Sequence, residues 1–332
     1  MKLSFSLHSW LAVAYGSVFA NAAEWTRLAD LPTTTEMRLS GRGISSMAGG
    51  VINGQLLLVA GQEGTSGGDV FDTKLTRIFS PLNNTWTLGK DAPDVRERTA
   101  SVVIENTFYV IGGAKAGEEL ISYANNWAYT PSTDSWRELA SLPNTYYDAA
   151  GCSLNKTIYL FGGYSTGDDT PTPYNTTLIY SSSSDTWSQG SPLPLAVGEA
   201  TCVAFGTDIY LFGGKYYDVD YQYSDEIQIY DTTKNTWSKG DHLPSNLKQF
   251  SATVVGDKVF FVPSEDTQPH AYDLTNKKWL QNLPQLPGSP RISPRLLGLQ
   301  NKVYVVGGQV DVYTEEEYTY LYLNETLTLD LS

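Results

Sequence analysis

Histidine, cysteine and methionine are scarce: three His, two Cys and three Met among 332 residues. Two cysteines cannot staple a small scaffold, and nothing in the chain has the His/Cys spacing of a zinc site. Positive charge is short as well. Lys and Arg number 22 against 36 Asp and Glu, a formal charge of −14. That balance repels phosphates and anionic membrane surfaces, excludes nucleic acid as a partner and favours neutral or cationic ones. Sustained helical periodicity is missing throughout. Apart from the first twenty residues, no apolar run is long enough to span a bilayer.

That first stretch has its own logic. Lys2, an apolar segment from Leu3 to Phe19 and the small-residue end Ala20-Asn21-Ala22 read as a secretory signal peptide over 1–22. Loss of Lys2 would take the charge from −14 to −15. Four sequons, at Asn83, Asn155, Asn175 and Asn324, agree with an exported, glycosylated product. The expected localisation is extracellular, and the remaining 23–332 should form one domain.

What the chain has in abundance is repetition, and a repeat outranks other signals. Ile-Tyr-Leu-Phe-Gly-Gly occurs at 158 and again at 209. Relatives stand at Phe108 (FYVIGG) and Val303 (VYVVGG), and weaker ones at Leu56 (LLLVAG) and Val259 (VFFVPS). Downstream come Trp86, Trp136, Trp187, Trp237 and Trp279. Each is preceded seven residues earlier by an aromatic: Phe79, Tyr129, Tyr180, Tyr230 and Tyr272. Short runs of β-branched and aromatic residues between Gly, Asn and Asp turns predict four strands per unit. Glycine pairs ending the second strand fit a backbone that bends, or packs too closely for a Cβ. A phosphate-binding glycine loop would need a helix to follow, and none does.

These marks together resemble the kelch repeat over essentially the whole chain from Trp25. The pattern is similar to kelch proteins exported by filamentous fungi. The resemblance implies an all-β, six-bladed propeller. The last unit ends where a tryptophan is due, while the N-terminal EWTRLADLP carries Trp25. The N-terminal strand should therefore close the last blade and remove an exposed edge.

Antiparallel blades put the short turns on one face and the long second-to-third connections on the other, which is the expected binding face. Counting fourteen residues back from each Gly-Gly position gives Ser46, Arg98, Asp148, Glu199, Gln249 and Ser293 at the channel mouth, with Arg96, Tyr147 and Arg295 nearby. Arg98, Asp148, Glu199, Gln249, Tyr147, Tyr216 and Tyr217 are the candidate ligand-binding residues. Tyr164, Tyr174, Tyr221, Tyr223, Tyr313 and Tyr318 add an aromatic rim. The expected role is recognition of a glycan or protein by a monomer. The alternative is a small-molecule isomerase or pathway accessory enzyme working through Glu199, Asp148 and Arg98 on a neutral or zwitterionic substrate. Exported six-bladed kelch proteins include bacterial sialic acid mutarotases, which resemble this chain in residue types near the channel but share no motif with it.

Copper-radical oxidases of kelch architecture need two histidine ligands and a cysteine-linked tyrosine. Here His242 and His270 stand away from Cys152 and Cys202, so that activity is not expected. The iron motif of plant-type specifier proteins is only half matched, by Asp266 and His270 with Val262 in the first place. No metal or cofactor is expected. Cys152 and Cys202 occupy near-equivalent positions on adjacent first strands, and are candidates either for one disulfide or for two buried thiols.

Overall fold

A computed structural model describes residues 24–33, 43–64, 70–117, 119–166, 172–245, 247–313 and 318–332. The signal-peptide reading lies outside the described residues. Six four-stranded antiparallel sheets account for most of the chain. Their innermost strands are Ala48–Ile52, Ala100–Ile104, Ala150–Leu154, Thr201–Phe205, Phe250–Val255 and Arg295–Leu299. Each lies beside the next, and the sixth returns to the first, so the sheets form a closed ring of blades: a β-propeller. No helix of the described residues is long and apolar enough to cross a membrane.

Closure follows the expectation from the termini. Trp25–Arg27 pairs antiparallel with Thr326–Asp330, Trp25 opposite Leu329, as the outer strand of the sixth blade.

The repeated aromatics weld one blade to another. In five blades the third-strand aromatic sits directly across from the fourth-strand tryptophan, as in Phe79 opposite Trp86 and Tyr129 opposite Trp136. Ring centroids in these pairs are 4.9–5.1 Å apart. Every indole then donates to a carbonyl of the preceding blade: Trp86 to Ala29, Trp136 to Lys90, Trp187 to Ala140, Trp237 to Ser191 and Trp279 to His242. Trp25 donates to Pro284 and so completes the circle. A turn residue two before the tryptophan reinforces the weld. Asn84, Asp134, Asp185 and Asn235 adopt positive φ and accept from a backbone N–H of the preceding blade.

The glycine pairs have a matching job on the other face. Gly162 and Gly163 have φ of 61° and 85°. A Cβ on Gly162 would collide with the carbonyl oxygen of Val197, in the segment leading into the next blade. Gly163 donates to that same oxygen at 2.9 Å. Gly113, Gly308 and Gly61 make the equivalent bonds to Tyr146, Ile44 and Arg96. Left-handed backbone favours glycine here, and at Gly162 the blade-to-blade approach leaves no room for a side chain.

Candidate functional site

The channel mouth assembles from one short backbone device repeated around the ring. Just before each inner strand the chain turns through a left-handed residue. Ser46, Arg98, Asp148, Glu199 and Ser293 all have φ between 49° and 57°. Left-handed backbone costs a non-glycine residue about 1 kcal/mol or more. Its recurrence in five blades marks it as architectural: the turn aims Asp148 N at Arg98 O and Glu199 N at Asp148 O, both at 2.9 Å. All six positions reached by counting back from the glycines line one cavity of about 540 Å³.

The side chains at the mouth form an interblade network. Arg98 donates through Nε to Asp148 at 2.7 Å, and its Nη2 closes a second contact with the same carboxylate. Glu199 lies 4.0 Å from Arg98 and 3.8 Å from Lys215, and accepts from Gln249 at 3.4 Å. Burial, with the Asp148 charge added, pushes the Glu199 carboxyl above its usual range despite Lys215 and Arg98. Burial pulls on Arg98 in the opposite sense, but Asp148 and Glu199 outweigh it and hold the guanidinium firmly charged. These groups hold one another across blades.

The structure separates the other residues expected near the mouth. Tyr147 is buried, packed on Tyr164 with the Arg98 guanidinium 5.0 Å from its ring centre. It belongs to a small buried cluster with Ala114 and Tyr164. Tyr164 is buried as well, its hydroxyl on the Lys215 carbonyl. Tyr216 is half-buried among the apolar side chains between blades three and four, while Tyr217 is exposed above the mouth. Arg96 is buried, stacked on Tyr123 and Trp127 at 3.6 and 4.4 Å from their ring centres, and bonds Asn125. It is a core residue. Arg295 lines the cavity. The side chains of Tyr313 and Tyr318 lie outside the described residues. Cys152 and Cys202 form a disulfide between the inner strands of blades three and four, with Cα atoms 6.0 Å apart. Among the described residues no group of three or more His, Cys, Asp or Glu is placed to hold a metal ion.

Glu97 stands between Arg96 and Arg98, and no motif in the sequence marks it. It is 5% exposed and lines the cavity beside Arg98. Burial, followed by the charges of Asp72 and Asp148, lifts its carboxyl to about 7 against the pull of Arg98. An unfolded chain releases this proton near 4.5, so between about 4.5 and 7 the folded state holds the extra proton. Stability contributed by that proton is full below the window and is lost as pH rises through 7. Glu97→Gln should therefore flatten this part of the pH profile and stabilise the protein at pH 8 by about 2–3 kcal/mol. Urea unfolding at pH 5 and pH 8 measures it; equal wild-type and variant slopes with pH would contradict the assignment.

Above the mouth the second-to-third connections rise as small hairpins. Their strand pairs are Gln62–Gly64 with Val70–Asp72, Ala114–Lys115 with Ile121–Ser122, Lys215–Tyr217 with Tyr221–Tyr223, and Gln309–Tyr313 with Tyr318–Tyr322. Eleven large apolar side chains are exposed among the described residues, and eight of them stand on these hairpins. Phe71 is 53% exposed, Ile121 54% and Val219 88%. Exposed Glu119, Asp218, Asp220 and Asp311 share the hairpins with Lys115 and Lys215. The crown is apolar, aromatic and acidic together.

Comparison with known proteins places this architecture. A family model described as the KLHDC2/KLHL20/DRC7 Kelch-repeats domain matches residues 148–332, and a Kelch motif matches 96–143. Kelch-like protein 23 of Mus musculus is 26% identical over 259 residues, 77% of this chain and 44% of that protein. Kelch repeat protein M-T8 of Myxoma virus (strain Lausanne) is 31% identical over 121 residues, 35% of this chain and 21% of its own length. Beta-scruin of Limulus polyphemus is 26% identical over 150 residues, 44% of this chain and 16% of its own. The chain thus spans less than half the length of these curated relatives. A solved structure titled "Structure of YjhT" superposes with a TM-score of 0.67 at 17% identity, covering 88% of this chain and 99% of that one, a likeness of fold.

Proposed function

Because this chain belongs to the Kelch-repeat family, we propose that it is an exported recognition module whose hairpin crown docks a protein. One observation carries the reading. Most of the exposed large apolar side chains gather on the hairpins of a single face. Contiguous exposed apolar surface with aromatic residues is the mark of an interaction site. Acidic groups interleaved with it favour a partner segment that is basic and carries an apolar anchor, since opposite charge steers encounter and rejects acidic competitors. Sugar stacking on the same tyrosines is the glycan form of this reading, and charge favours the protein form. Export is supported by the apolar N-terminal stretch, by the disulfide, which persists in oxidising compartments, and by exposed sequon asparagines Asn83, Asn155 and Asn175. Asn83 and Asn155 lie in tight turns on the opposite face, where glycans leave the crown clear.

Selection from a random displayed-peptide library tests this directly. Bound peptides should be enriched in Lys and Arg around an aromatic or aliphatic anchor. Phe71→Ser combined with Val219→Asp should weaken them at least tenfold, while Leu82→Ser on the tight-turn face should leave them unchanged. Acidic peptides, or binding indifferent to the crown substitutions, would overturn the proposal.

A further inference from the structure

A second site lies deeper, and it is independent of the crown. Two residues beyond each mouth position the six inner strands carry Ala48, Ala100, Ala150, Thr201, Ser251 and Arg295. Five of these are small. The architecture needs nothing long at this level, yet the sixth blade places an arginine there. Its neighbour has made way for it: a Cβ on Gly49 would lie 2.7 Å from Arg295 Nε and 2.8 Å from its Cγ. The side chain lies across that glycine and donates through Nη2 to the Gly49 carbonyl at 2.7 Å.

What this guanidinium lacks is a counter-charge. Among the described residues it has no ion pair, and its Nε is shut off from solvent without a partner. The other buried arginines have a charged or aromatic partner, although Nε and Nη1 of Arg96 and Arg291 are also without hydrogen-bond partners. Arg77 meets Glu63, Arg291 meets Glu325, and Arg96 is sandwiched by aromatic rings. Burial alone holds the Arg295 guanidinium down to about 10, with no carboxylate pulling it back. Its residual exposure is to the cavity it lines, together with Thr201 and Ser251, whose hydroxyl groups are of a kind that can complete an anion's shell. Asp148 and Glu199 stay at the mouth, engaged with Arg98 and Lys215.

We propose that the propeller channel is a binding site for a small carboxylate, received by the guanidinium of Arg295 between the inner strands of blades six and one. A buried cation left unpaired is expensive, and a planar carboxylate matches the fork of an arginine while replacing the missing charge. A cavity of about 540 Å³ admits a small metabolite, and the polar, small-residue wall suits one that carries hydroxyl groups beside its carboxylate. The ring of Asp148 and Glu199 above adds selection against dianions.

Thermal unfolding and calorimetry of the full chain, at constant ionic strength, would use three carboxylates as probes: acetate, glycolate and D-glucuronate. Acetamide, ethylene glycol and D-glucose serve as their uncharged counterparts. At least one carboxylate should raise the midpoint by several degrees and its neutral counterpart should not. Arg295→Met should weaken that carboxylate at least tenfold and, by removing an unpaired buried charge, leave the ligand-free midpoint equal or higher. Arg295→Lys, which keeps the charge without the fork, should retain weaker binding and serves if the methionine variant fails to fold. Equal responses to the acid and its neutral counterpart, no response to any of the three acids, or a response undiminished in both variants would overturn the site. A lower ligand-free midpoint in both variants with the acid response intact would make Arg295 a strut between blades.

Discussion

Arg77→Met is expected to cost about 3–5 kcal/mol of stability, among the largest losses open to a single substitution here. The guanidinium is 0% exposed, and its Nη2 meets the Glu63 carboxylate, itself 1% exposed. Nε donates to the Pro32 carbonyl at 2.7 Å, and Nη1 lies 3.5 Å from the carbonyls of Ala60 and Leu75. One side chain thus ties the segment after the N-terminal strand to the glycine turn and third strand of the first blade. Burial draws its own ionisation down to about 10 even with Glu63 alongside. Methionine fills much of the volume but takes the guanidinium away from buried Glu63 and from the carbonyls of Pro32 and Ala60. Guanidinium unfolding should show a lower midpoint at unchanged slope. Combining it with Glu63→Gln should recover part of the loss, since the two deletions remove one interaction. A single-variant loss below about 1 kcal/mol would show that water reaches this pair.

Breaking the Cys152–Cys202 bond should have an effect of similar size. The bond spans 50 residues and joins neighbouring inner strands. A loop of that length releases enough chain entropy in the unfolded state to account for about 4 kcal/mol in the loop-closure model. Cys202 lines the cavity, so a small reductant has a route to it through the channel. A paired Cys152→Ala/Cys202→Ala variant, and wild type treated with a phosphine reductant, should unfold at similarly lowered denaturant concentrations. Matching midpoints for the oxidised protein and the double variant would mean that blade packing already supplies the constraint.

Much of this molecule was legible because a propeller repeats its solutions. One glycine pair in a strand-ending position is ambiguous; four pairs and two relatives at a spacing of about fifty point to one recurring approach. The same periodicity carried the mouth. Counting back from the glycines reached cavity-lining residues in every blade, including the fifth, where Pro263-Ser264 replaces the pair. Phase is what the repeat could not resolve among near neighbours. Arg96 and Arg291 fall two residues before the mouth positions, where the other blades carry Ile44, Tyr146, Val197 and Leu247, all buried. Arg295 falls two residues after, where the chain passes along the cavity. Arg96 and Arg295 read alike in the sequence and live in different surroundings. Tyr147 and Tyr164 are buried for a related reason: they belong to connections that are long but packed.

The sequence alone determined the blade pattern, the closure of the ring by its own N-terminal strand, and which face bears the long connections. Those properties depend on local spacing, turn chemistry and strand alternation, all written along the chain. Tertiary structure decided the pairing of Arg98 with Asp148, the proton held by Glu97, the solitude of Arg295 and the gathering of apolar tips into one crown. Each of these depends on distances between blades far apart in the chain, 50 residues for Arg98 and Asp148 and 246 for Gly49 and Arg295, and on what solvent can reach, quantities set only when the ring closes.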